Sequence, residues 1–254
     1  MPSDMSTWLA ATAIPGVALI GYLVWIGVRR ALYVLGYPPA ARTRPLLLSG
    51  VLLGGWLALA YWLGARGFFL GSPAEAVPKV AFGLLAPIAV ALAILAVSKL
   101  ARAVVAVTPL HLLIAVQTYR IEGAVFLAMF AYGRMPGEFA LPAGWGDLLI
   151  GASAPFVAWL YRRDAIRWRG LALLWNIGGV LDLVVAVGMG VLTAPGRFQQ
   201  FALGAPNSLI TTFPLVLIPT FLVPLSLLLH GLSLWRLMSD HQTATVRARE
   251  ARQA

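Results

Sequence analysis

The chain alternates between apolar runs of bilayer length and short polar punctuation. At about 20 residues per crossing, the runs predict seven transmembrane helices, at residues 7–28, 46–63, 81–98, 110–132, 146–161, 171–191 and 208–235. The fifth run is short, and Gly144-Trp145-Gly146 at its start suits a tilted or re-entrant entry. Polar side chains interrupt the runs at few places. Arg120 and Glu122 fall in the middle of the fourth, and Asp182 in the middle of the sixth. A charge at the bilayer centre costs roughly 2.5–3.5 kcal/mol on insertion scales, so such residues mark a functional site by default.

Charge then orients the spans. With the N-terminus outside, fourteen of the nineteen Lys and Arg residues fall in inner loops or the C-terminal tail. Only Arg66, Lys79, Arg134 and Arg197 fall outside, and Arg120 lies within the membrane. The positive-inside rule therefore selects an odd span count with the C-terminus in the cytoplasm. The domain map is one transmembrane unit, residues 1–242, and a basic tail, residues 243–254, solvated or lying on the lipid surface. The first apolar run precedes Arg29-Arg30 rather than following a basic stretch, so it reads as a retained helix and not as a cleaved signal.

Composition agrees. Charged residues are 11% of the chain, against about 25% in soluble domains. Mean hydropathy is +0.85. The net charge of +10 is orientation charge in loops, so no nucleic-acid partner is expected. With no Cys, thiolate metal sites, disulfides and Cys nucleophiles are excluded. Low Lys with abundant Arg, Ala and Gly points to a bacterial source and hence to the cytoplasmic (inner) membrane.

A rise of 1.5 Å per residue places Arg120 about 15 Å, Glu122 about 18 Å and Asp182 about 16 Å from the inner ends of their spans. Gln117 lies slightly inward of them, and His111, Asn176 and His230 fall in the inner third. Asp147 is expected near the outer face, close to Arg134 and Glu138, where it would cap the fifth helix. At 100° per residue, His111, Thr118 and Glu122 share one face of the fourth span, with Gln117 and Arg120 roughly opposite. That span must therefore be buried on both sides. If Arg120, Glu122 and Asp182 were all ionised, the centre would carry −1 in a low dielectric, so one acid should take a proton or a cation. Asp182 is the expected partner of Arg120.

Several functions compete for this centre. A carrier would use Arg120 to hold an anionic group and Glu122 or Asp182 to carry a proton, with Asn176, Gln117 and His230 completing the pocket. Pro214, Pro219 and Pro224 in the last span, and Gly188 and Gly190 in the sixth, supply breaks and hinges. The alternative is an intramembrane enzyme or a haem- or pigment-binding protein acting on a lipid-soluble substrate, with His111 and His230 as the axial pair. Gly144-x-Gly146-Asp147 resembles the active-site string of intramembrane aspartyl proteases, but in that family this aspartate is the second of the pair, whereas here it precedes Asp182. A seven-helix receptor or sensor shares the topology, which alone does not give function. No metal site and no cofactor is assigned.

Two wider resemblances follow from the motifs. Gln117-x-x-Arg120-x-x-Gly123, then Phe139-Ala140-Leu141-Pro142-Ala143-Gly144-x-Gly146-Asp147, then Trp175-Asn176-x-x-Gly179-x-x-Asp182-Leu183 resemble a family of uncharacterised bacterial integral membrane proteins, from Gln117 to about His230. The resemblance implies no activity. It implies that Gln117, Arg120, Gly146, Asp147, Asn176 and Asp182 form one unit. Spans one and five both end in Arg pairs, and spans three and seven both carry a Pro twelve residues before a basic end. A parallel 3+1+3 repeat is thus expected, similar in architecture to sugar and vitamin transporters built from two three-helix bundles.

Overall fold

A computed structural model describes the backbone of residues 3–72 and 74–253, with side chains for residues 14–72 and 74–239. The described residues form helices and connecting turns, with no strand among them. The helices are α1 (Ser3–Val34), α2 (Pro39–Ala65), α3 (Lys79–Val97), α4 (Lys99–Val107), α5 (Leu110–Ala115), α6 (Ala124–Ala131), α7 (Gly137–Arg163), α8 (Ala165–Thr193) and α9 (Val223–Gln253). Among the described residues six stretches are long and apolar enough to cross a membrane: Ile14–Val34, Pro39–Ala65, Lys79–Val97, Leu110–Ala131, Ala165–Thr193 and Ile218–Ser239. Helix α7 is equally long, at 27 residues, but Asp147, the glycines and two prolines dilute it. The basic tail assigned to residues 243–254 lies outside the residues whose side chains are described.

Helices α2 and α3 turn large apolar side chains outward; Leu47, Val51, Phe82 and Leu85 are all exposed. Burial concentrates instead where α5, α7, α8 and α9 meet, around Ile114, Val157, Ala172, Trp175 and Leu229. A second apolar cluster, Phe126, Met129, Phe139, Ala143 and Leu215, lies further along α6 and α7. The fourth span runs between them.

That span is not one α-helix. Between α5 and α6 it winds as a 3-10 helix over Val116–Gly123, eight residues. Runs beyond 3–4 residues are uncommon and mark strain or a hinge. The sequence favours the break: Val116, Thr118, Tyr119 and Ile121 are β-branched or aromatic, hence weak α formers. Thr118 Oγ1 also donates to Ala115 O at 2.7 Å, reinforcing an i−3 turn. In a 3-10 helix residues i and i+3 eclipse. Gln117, Arg120 and Gly123 accordingly fall on one face, and Ile114, Phe126 and Met129 extend it into one buried stripe.

The last span is also irregular. Its helix was expected from residue 208, but the first part is a short 3-10 helix, Leu209–Thr211, and turns, and a π-helical segment, Ile218–Leu222, leads into α9. Proline accounts for this. Pro224 has no N–H for the carbonyl of Thr220, four residues back. That carbonyl instead accepts Trp56 Nε1–H from α2 at 2.8 Å.

Two further differences bear on the site. The connection before span four holds the short helix α4, whose N-terminal amide on Ala101 donates to Ser98 Oγ at 3.1 Å. Its last carbonyls, Val105 O and Thr108 O, accept from Arg236 of α9 at 2.7 and 3.0 Å. Helix α7 starts at Gly137, with Glu138 in its first turn, rather than at residue 146.

Candidate functional site

The early start of α7 relocates Asp147. It is not the cap of that helix and not part of an outer-face group with Arg134 and Glu138. Ten residues into α7 it lies about 15 Å from the helix start, at a depth comparable with Arg120. It is 9% exposed, and its Oδ1 accepts from Arg120 Nε at 2.7 Å. Arg134 and Glu138 are both exposed and outside the cluster.

Arg120 gathers partners from three helices. Its Nε binds Asp147 of α7, and its Nη2 binds Asp182 Oδ2 of α8. Its Nη1 donates to Gly179 O at 3.3 Å and to His230 Nε2 of α9 at 3.1 Å. Arg120 is 3% exposed. An arginine can only donate, so His230 Nε2 accepts and the imidazole is neutral, with its proton on Nδ1. That N–H points to Asn176 Oδ1 at 2.9 Å. Asn176 in turn donates Nδ2–H to Ala172 O at 2.8 Å, which fixes its amide orientation. The tautomer is thus set by a chain running Arg120, His230, Asn176 and the α8 backbone. Trp175 covers the imidazole at 5.2 Å between ring centres and donates Nε1–H to Ser153 Oγ at 2.9 Å.

Small residues make this convergence possible. A Cβ on Gly146 would coincide with Asp182 Oδ1, one on Gly179 would strike the His230 ring, and one on Gly123 would strike Asp147 Cβ. A Cβ on Gly144 would come 2.7 Å from Leu127. The string Gly144-x-Gly146-Asp147 therefore has a packing explanation: its glycines admit a neighbouring helix and the carboxylate of Asp182. The two aspartates converge, but on a guanidinium between them. An aspartyl protease instead needs two carboxylates sharing a proton.

Gln117 and Tyr119 tie the 3-10 segment to α9. Gln117 Nε2 donates to Ser226 O at 3.2 Å, while its buried Oε1 has no partner. Tyr119 OH donates to Leu222 O at 3.1 Å and meets Ser226 Oγ. Glu122 departs from the expected centre. It is exposed and turns toward α1, where a Cβ on Gly16 would come 2.5 Å from its Oε1. His111, on α5, is also apart, within electrostatic range of Arg162 and Arg30. It shares no contact with His230, whose two ring nitrogens are both engaged.

The cluster thus unites Gln117, Arg120, Asp147, Asn176, Asp182 and His230, and omits Glu122, His111, Arg134 and Glu138. Sequence reasoning missed Tyr119 and Ser226, and the depth reading misplaced Asp147, although the motif resemblance grouped it with Arg120 and Asp182. Counting Asp147 ten residues beyond Pro136-Gly137 would have given its depth. Asn176→Ala would leave the His230 N–H unpaired in a buried site. We expect it to cost about 1–3 kcal/mol in unfolding of the detergent-solubilised protein, and an unchanged midpoint would refute the assigned chain of donors.

A cavity of about 20 Å³ lies beside Tyr119, Arg120, Glu122, Asp147, Leu222 and Ser226. That is room for a single water. Among the described residues no group of His, Asp and Glu is arranged to hold a metal ion.

A family model described as a domain of unknown function, DUF8737, matches residues 77–238, a stretch containing every member of the cluster. No curated protein and no solved structure matches the chain.

Proposed function

We propose, for a chain that belongs to the DUF8737 family, a carrier that takes a small anionic solute across a membrane together with a proton. One observation carries the reading: Arg120 sits on a 3-10 segment that interrupts its helix and is shared between aspartates of two different helices. One guanidinium and two carboxylates sum to −1 when all are ionised. A proton on either aspartate neutralises the group and releases an Arg120 N–H. That donor can then take a carboxylate or phosphate oxygen, for which the arginine fork is well shaped. Proton uptake and anion binding would therefore favour one another. The 20 Å³ cavity is too small for such a solute, so this conformer is a closed one. The 3-10 and π segments, which flank the cavity, are the places where the backbone can yield. Broken helices at mid-membrane commonly build carrier sites.

The same proposal takes α7 as a seventh span, beside the six apolar enough by themselves. It places the N-terminus outside and the basic inner loops in a bacterial cytoplasm, following the positive-inside rule. The 3+1+3 plan belongs to it too, with one modification. Span four is the centre of the site rather than a linker between bundles.

The test uses proteoliposomes with an internal pH dye and an imposed gradient of acetate, pyruvate or inorganic phosphate. Wild-type protein should acidify the lumen with at least one of these anions. Asp182→Asn should retain its unfolding midpoint but lose about tenfold or more of the flux, as removal of a coupled acid demands. Equal flux from both proteins would reduce the cluster to a structural ion pair.

A further inference from the structure

A second concavity lies away from the charged centre. It is an open groove of about 270 Å³ between α1 and α2, lined by Ala18, Gly21, Tyr22, Trp25, Gly50 and Gly54, with Phe221 of the π segment as its floor. The glycines create it. A Cβ on Gly54 would meet nothing within 4 Å, and one on Gly50 would meet Trp25 Nε1 at 3.3 Å. Trp25 is held in place by its own N–H, which donates to Leu46 O at 2.9 Å. From Ala18 to Trp25 the groove runs along about 10 Å of helix.

Its inner end leads to cations. Arg29 and Arg30 lie one turn beyond Trp25 on α1, and Arg44 lies under two turns from Gly50 on α2. These separations are about 6 and 9 Å along the helix axes. All three side chains are exposed, and none is in an ion pair with a carboxylate among the described residues. Their neighbour Arg42 is different: its Nε donates to Tyr37 O and its guanidinium lies 4.9 Å over the Tyr33 ring. So three exposed cations lie near one end of an apolar slot, with Arg29 continuing the face of α1 that carries Ala18, Gly21, Tyr22 and Trp25.

We propose that this groove holds an anionic glycerophospholipid, one acyl chain lying over Gly50 and Gly54 against Phe221 and the phosphate on Arg29, Arg30 and Arg44. The slot takes about 10 Å of an acyl chain along the helix axes, and the rest of the chain lies in the bilayer. The slot's lining offers no hydrogen-bonding set for a soluble metabolite, and the three arginines supply the charge that a lipid phosphate needs. The assignment is independent of the carrier reading, since it uses none of the groups around Arg120.

The test is lipid retention by the full chain, delipidated in mild detergent and titrated with phosphatidylglycerol or phosphatidylcholine, read by native mass spectrometry. One phosphatidylglycerol should be retained about tenfold more strongly than phosphatidylcholine, as attraction to three arginines implies. Gly54→Leu places a side chain in open space within the slot, and should lose that bound lipid of either type. Replacing Arg29, Arg30 and Arg44 by Gln should erase the preference, leaving both lipids equally and weakly held. Equal retention of both lipids by wild-type protein would overturn the proposal. So would a Gly54→Leu protein that binds as wild type does, or displacement of the lipid by inorganic phosphate alone, which would make the arginines a plain anion site.

Discussion

Arg120→Ala is expected to destabilise the protein by about 3–5 kcal/mol, because it leaves the buried Asp147 and the partly buried Asp182 without their cation. Asp147 and Asp182 both bind this one guanidinium, and His230 and the Gly179 carbonyl lose their donor as well. The loss should appear as a large drop in the unfolding midpoint in detergent and in poor recovery from the membrane. The cause is charge and not side-chain volume, which a second variant can demonstrate. Adding Asp147→Asn and Asp182→Asn to Arg120→Ala removes the orphaned charges and should restore more than half of the lost stability. A triple variant as unstable as the single one would show that the arginine acts by filling space.

Gly146→Ala is expected to follow, at about 1–3 kcal/mol of overpacking. A methyl group there occupies the position of Asp182 Oδ1, so either the carboxylate leaves Arg120 or α7 and α8 move apart. Gly178→Ala is the matched control, since its Cβ would meet nothing within 4 Å. It should lie within about 0.5 kcal/mol of wild type. On the carrier reading, Gly146→Ala should also lose proton-linked flux as Asp182→Asn does. If the two alanine variants behave alike, the close approach of α7 and α8 at Gly146 is wrong.

The sequence made the helical architecture and the centre of the cluster readable for the same reason. Apolar runs are long enough to cross a bilayer, and a charge within one stands out. Arg120 and Asp182 were paired correctly on depth alone. Depth then misled. It put Glu122 at the heart of the site, although a step of 100° per residue already set it on the face opposite Arg120. The backbone steps at about 120° there and turns that carboxylate toward Gly16. The spacing Gln117-x-x-Arg120-x-x-Gly123 held the clue, because three-residue intervals eclipse only in the tighter winding.

Asp147 was misplaced for a different reason. Hydropathy finds the apolar middle of a helix and not its polar start, and Gly137 to Ala143 precede the run that marks the fifth span. Likewise the prolines of the last span were visible as breaks. Their consequence was not: the Thr220 carbonyl turns outward to Trp56, 164 positions away in the chain. Such pairings depend on which helices are neighbours, and no local pattern encodes that.

The tightly wound middle of span four has one more property, which is length. A 3-10 segment rises about 2.0 Å per residue against 1.5 Å for an α-helix. Rewinding the eight residues of Val116–Gly123 would draw α6 inward by about 4 Å and rotate it by about 160° relative to α5. Arg120, at the middle of the segment, would turn through about half that angle, away from Asp147 and Asp182 and toward the side where Glu122 now lies. A change of hydrogen-bond register within this one segment would thus withdraw the guanidinium from both aspartates in a single screw-like motion.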